Sequence, residues 1–119
     1  MIGQAGRVKA LLWENAEPAS SFSPTTAPIQ LNDSIEHYDF CIMVFLTTTS
    51  DDALLVTCVF AGNGLHRISW NSQGSTNGNR NNSRDFILDG VSLSIEEGWQ
   101  GTSKANNTTI PLRLYGVKL

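Results

Sequence analysis

The sequence predicts an all-β chain, a single antiparallel β-sandwich of about eight strands with a jelly-roll-like character, on three observations. Apolar and polar residues alternate with a period of two, most cleanly in Val91-Ser92-Leu93-Ser94-Ile95 and again at Ile110, Leu112 and Leu114. Short apolar runs are separated by clusters of turn formers. Only 16% of the residues are charged, against 40% apolar, and Ser, Thr, Asn and Gly crowd the remainder, as suits a β scaffold with hydroxyl and amide loops. At 119 residues the chain fits one core. We divide it into an N-terminal arm, residues 1–7, and a sandwich domain, residues 8–119.

Taken in order, strands are expected at 8–13, 27–31, 38–47, 53–60, 65–70, 83–88, 91–96 and 109–118. The first ends in Trp13, followed by acids, an amide and Pro18, which cannot continue a ladder. A single helical turn is expected at Asp33 to Glu36, capped by Asn32 or Asp33. Phe40 to Leu46 is apolar on both faces, so one face meets the partner sheet and the other needs a cover, from a loop or another subunit. The residues assigned to a subunit interface on this strand are Cys41, Met43 and Phe45. A hairpin turning near Thr49 to Asp51 brings Cys41 and Cys58 opposite each other, and a disulfide between them would need an oxidising medium. Asp89-Gly90 is a tight-turn signal that pairs Phe86-Ile87-Leu88 with Val91-Ser92-Leu93. The run from Asn71 to Asn82, NSQGSTNGNRNN, holds no hydrophobe and reads as an exposed loop.

Several function classes fit poorly. A net charge of −3 with scattered basic residues argues against nucleic-acid binding, and Arg80 and Arg84 read as solvated loop charges. No apolar run reaches bilayer-spanning length, and the early segment Ala10 to Trp13 lacks the h-region of a signal peptide. No His or Cys stands at metal-ligand spacing, so neither metal nor cofactor is expected. Catalysis finds little support. Trp13-Glu14 with Glu17, and Glu96-Glu97 with Trp99, supply glycosidase residue types, but eleven acids offer such coincidences readily. No serine sits in a nucleophile elbow.

Sugar binding without catalysis asks less: an aromatic plane for the sugar ring and amides for its hydroxyls. Trp99, among Gly98, Gln100 and Gly101, is the first candidate and Trp70, before the Asn-rich run, the second. Asn77, Asn79 and Arg80 supply the polar groups.

The stretch Leu11-Leu12-Trp13-Glu14-Asn15-Ala16-Glu17-Pro18-Ala19-Ser20-Ser21-Phe22 resembles an L-W-x-N-x-x-P-x-S-x-F pattern of small tail-fibre and minor structural proteins of tailed bacteriophages. Ile29-Gln30-Leu31 and Tyr38-Asp39-Phe40 follow in the order of those modules. Ile110-Pro111-Leu112-Arg113-Leu114-Tyr115-Gly116-Val117-Lys118 resembles their closing I-P-x-x-I-Y-G-I-K strand. Residues 62–82 match nothing in the pattern. The resemblance implies a non-enzymatic β-sandwich of a virion, assembled in the host cytoplasm beside other virion proteins. The function expected from it is attachment to a host-surface glycan as a tail or fibre component, repeated in a homo-oligomer, most simply a trimer. A capsid decoration protein and a free carbohydrate-binding module are the alternatives. No catalytic residue is carried over, and Gly116 is expected to permit a bulge or a close approach.

Overall fold

The computed structural model describes residues 8–16, 18–19, 21–48, 53–74 and 78–119, with the backbone alone for 73, 74, 78 and 79. The expected arm and the turn near Thr49 to Asp51 lie outside the described residues. Two antiparallel sheets form a β-sandwich. One holds β1 (Val8–Glu14), β9 (Ile110–Lys118), β3 (Phe40–Leu46) and β4 (Leu55–Phe60), in that order across the sheet. The other runs β2 (Ile29–Gln30), β7 (Ser92–Gln100), β6 (Gly78–Asp89), β5 (Gly64–Gly74), and β8 (Ser103–Lys104) pairs with β7. β1 pairs with β9 and β2 with β7, whereas β3·β4, β5·β6 and β6·β7 pair as strands consecutive in the chain.

Period-two alternation explains the layers. Leu93 and Ile95 of β7, Phe86 and Leu88 of β6, and Met43 and Phe45 of β3 all point between the sheets and are fully buried. Phe86 bridges them, with ring centroids 5.8 Å from Phe45 and 5.2 Å from Phe60. Trp13 packs against this core and meets Phe22 edge-on at 6.4 Å, so the indole that ends β1 is packing. The turn at Asp89-Gly90 has Gly90 at φ +61°, and Leu88 pairs with Leu93 as the turn residues require. A 3₁₀ turn at Ile35–His37 takes the place of the expected helical turn, capped by Ser34, whose Oγ accepts from Glu36 N.

The expected subunit interface is corrected by this packing. Cys41, Met43 and Phe45 are 1%, 0% and 0% exposed because they occupy the core face of β3. The second apolar face is the other parity of the same strand, Phe40, Ile42, Val44 and Leu46. It is flanked by Tyr115 and Val117 of β9 and by Val59 and Leu55 of β4, which are 64% and 63% exposed. The cysteine register also differs: Cys41 faces Phe60 and Cys58 faces Met43, so the two thiols sit two register positions apart along the ladder and are free.

The resembling motifs meet in space. Asn15 Nδ2 donates to the Pro111 carbonyl at 3.0 Å and Asn15 N to that of Leu112 at 2.8 Å. The Tyr38 ring lies flat against Gly116, where a Cβ would come 2.5 Å from its Cγ. Asp33 holds that tyrosine by accepting from its hydroxyl at 2.9 Å and also bonds His37 Nδ1 at 2.7 Å, and these bonds keep its carboxyl below the usual range. These motif residues are structural: they join the first strand, the 3₁₀ segment and the last strand.

Two outcomes follow. Gly116→Ala should cost about 1–3 kcal/mol in urea denaturation, since the added Cβ would meet the near end of the Tyr38 ring, which is also held by its hydroxyl at Asp33, and the same change in a Tyr38→Ala background should cost far less. Burial pushes the Cys41 thiol up to about 11 and raises that of Cys58. An acid whose folded pKa lies above its unfolded value of 9.0 stabilises fully below that value. Stability should therefore fall as pH rises from about 9 through 11, an effect reduced in Cys41→Ala and reduced further when Cys58 is replaced as well.

Candidate functional site

The Asn-rich run, expected to be a loop, continues the β5–β6 pairing as far as Gly74↔Gly78. The reason is a ladder of polar cross-strand pairs. Asn81 Nδ2 donates to Ser69 Oγ at 2.9 Å and to Asn71 Oδ1 at 3.3 Å on the outer face. On the inner face Asn82 Nδ2 donates to Ser72 Oγ at 2.9 Å. Amides and hydroxyls thus take the place that β-branched pairs hold elsewhere.

This extension carries the inner face beyond the apolar core and lines one end of the sandwich with polar groups. A cleft of about 350 Å³ opens there. Trp70, Ser72, Arg80 and Asn82 come from β5 and β6, and Gln100 from the end of β7. Thr47 and Thr48, after β3, and Asn107 and Thr108, before β9, close the other side. A second cleft of about 470 Å³ shares Trp70, Ser72, Thr47 and Thr48 but adds Leu54 and Val56, so the indole stands between a polar and a more apolar space.

The cleft floor is tightly held. Trp70 Nε1 donates to Thr109 Oγ1 at 2.9 Å, fixing the plane of the ring. Thr109 is fully buried at φ +54°, the left-handed region that a β-branched residue rarely enters. Its amide donates to the Thr47 carbonyl at 3.1 Å, and Thr108 Oγ1 donates to the same carbonyl at 3.0 Å. Asn82 is wholly buried, its Oδ1 accepting from Gln100 Nε2 at 3.3 Å and Thr108 Oγ1 at 3.4 Å.

Behind this floor lies Arg84, which is corrected from a solvated loop charge to a residue with no exposed surface. It sits on the inner face of β6, opposite Gly98, and the missing side chain there makes its room: a Cβ at Gly98 would collide with Arg84 Nη2 and the Ala105 carbonyl. Its Nη1 donates to the carbonyls of Phe22 at 2.9 Å and Glu96 at 2.8 Å, and its Nη2 to those of Thr108 at 3.2 Å and Asn106 at 3.4 Å. The Nε alone lacks a partner. Burial lowers its pKa to about 10, partly offset by Glu97, so it stays a cation at neutral pH.

Of the residues assigned to ligand binding, the structure brings Trp70 and Arg80 together in the cleft. Trp99 does not join them. It pairs with Ser83 and Lys104, so it leaves the sheet on the face opposite to that of Asn82 and Gln100 and is half-buried there. Its loop-like neighbours belong to a strand that continues to Gln100. Asn77 lies outside the described residues, as does the side chain of Asn79. Of the glycosidase-type acids, Glu14 accepts from Arg113 Nε at 2.8 Å and Glu97 from Asn106 Nδ2 at 2.8 Å, while Glu17 lies outside the described residues. Sequence reasoning missed Asn82, Gln100 and Thr108. The available signal was the parity shared by Trp70, Ser72, Arg80 and Asn82, legible only once the run is taken as strand.

No protein-family model matches the chain, and no curated protein matches it in sequence.

Proposed function

We propose that this chain is a non-enzymatic virion module of a tailed phage, a tail or fibre component that holds a host-surface saccharide in the cleft walled by Trp70. The observation that carries the proposal is the cleft itself: one fixed indole plane beside a lining of amides, hydroxyls and a guanidinium, which is the residue set that grips a sugar ring and its polar edge. The motifs resembling phage structural proteins support the setting, since Asn15, Tyr38 and Gly116 are engaged in the packing of one compact module. Weak single sites gain strength by repetition, and a homo-oligomer joined through the outer face of Ile42, Val44, Tyr115 and Val59 supplies it.

A second reading, a capsid decoration protein, is favoured by that same apolar face, which would seat equally well on a shell protein. Solution mass separates the two. A fibre module should sediment as an oligomer at micromolar concentration and fall to a monomer in Val44→Lys, whereas a decoration protein should be monomeric until it meets the shell.

Trp70→Phe keeps a ring in place but loses the bond to Thr109. Trp70→Ala should abolish binding to susceptible cells, and Trp70→Phe should weaken it about tenfold or less, both read by sedimentation of labelled protein with cells. Undiminished binding by a folded Trp70→Ala variant would remove the cleft from the function.

A further inference from the structure

The cleft that Trp70 walls has an unequal supply of hydrogen-bond donors and acceptors. Four of its side-chain oxygens already accept hydrogen bonds, and Asn107 adds one further amide oxygen to the lining. Asn82 Oδ1 accepts from Gln100 Nε2, with the Thr108 hydroxyl, whose proton it shares with the Thr47 carbonyl, 3.4 Å away. Gln100 Oε1 accepts from Arg80 Nη1 at 3.3 Å, Ser72 Oγ from Asn82 Nδ2 at 2.9 Å, and Thr47 Oγ1 from the Leu54 amide at 2.9 Å. The donors are left over. Arg80 is exposed and gives a single bond from Nη1, so Nε and Nη2 have no partner among the described residues. Arg80 is the one charged residue lining the cleft, and no carboxylate faces it there among the described residues. A neutral sugar offers hydroxyls that need both donors and acceptors, while a carboxylate only accepts.

We infer that the ligand of this cleft is an acidic saccharide, its pyranose ring against Trp70 and its carboxylate in the guanidinium fork of Arg80. This rests on the sugar-binding reading above and adds the chemical class. The register supplies the spacing. Trp70 pairs with Asn82 and Arg80 with Ser72, so Trp70 and Arg80 are diagonal neighbours on the inner face of one antiparallel pair. Such neighbours lie about 7–8 Å apart, a span that one sugar ring with an exocyclic carboxylate covers. The planar fork of arginine matches a carboxylate with two parallel bonds, which a lysine in its place would not. Gln100, bonded to the same guanidinium, holds the fork at the cleft and is itself held by Asn82.

The test is isothermal titration of the full chain with uronic-acid and sialic-acid trisaccharides, each beside its methyl ester, which keeps the skeleton and removes the charge. At least one acid should bind about tenfold or more tighter than its ester, and Arg80→Gln should bring its affinity down to that of the ester, with Arg80→Lys between. Raising the salt should weaken the acid and leave the ester nearly unmoved. Equal affinity for acid and ester, or a preference that survives in Arg80→Gln, overturns the acidic ligand and leaves a neutral-sugar site standing. Binding of neither probe overturns it as well, and the cell-binding result with Trp70→Ala then decides the saccharide reading by itself.

Discussion

The arrangement at the end of the sandwich depends on one guanidinium. Arg84 is buried without a direct ion pair, and its fork donates to four backbone carbonyls from three separate stretches: the segment after β1 at Phe22, the irregular part of β7 at Glu96, and the segment before β9 at Asn106 and Thr108. None of these carbonyls belongs to the β5–β6 pair that carries Arg84. A charge so placed is costly to desolvate, and the lowering of its pKa by burial registers that cost. Hydrogen bonds to a charged donor are also stronger than neutral ones, and here they tie β7 to the segments that follow β1 and precede β9. Thr108 and the left-handed Thr109 follow directly from this clamp, and through them Thr47 and the plane of Trp70 are set.

Gly98 is the complement of that clamp. With any side chain there the guanidinium could not lie across β7, and the Ala105 amide could not reach the Gly98 carbonyl at 2.7 Å. The register shift between Arg84 and Phe86 on β6 falls at the same place and turns the Glu96 carbonyl toward Nη1. Bulge, glycine and arginine together form a local solution to bringing a polar end onto an apolar sandwich. The cleft is the surface expression of it.

Much of the fold was legible because alternation has a single reading when one face is buried. Leu93, Ile95 and Leu114 announced their strands directly, and Asp89-Gly90 announced its turn. Phe40 to Leu46 shows where legibility stops: with both parities apolar, the sequence could not say which went inside, and Cys41, Met43 and Phe45 did. Asn71 to Asn82 misled for the opposite reason. Its pairs are amide to hydroxyl rather than apolar, a pattern indistinguishable in sequence from a polar loop. Arg80 and Arg84 share a parity and a polar neighbourhood, yet one is exposed and the other has no surface. The difference arises from Gly98, which is distant in sequence and adjacent in the sheet. Trp70 and Arg80 entered the candidate site correctly by type, while Trp99 was drawn in by glycine neighbours that turned out to serve the clamp and a turn.

The most direct test of this account is the unfolding free energy of Arg84→Met measured beside that of the wild type. Methionine fills much of the space but takes the guanidinium donor from the carbonyls of Phe22, Glu96 and Thr108, the last of these bonds a buried one, while the Asn106 carbonyl keeps the Phe22 amide. The clamp predicts a loss of at least about 3 kcal/mol, with amide protection falling together around Phe22, Gly98 and Thr109. A loss below about 1 kcal/mol, with protection at those three places unchanged, would show that the segments hold themselves and that Arg84 merely fills a gap between them.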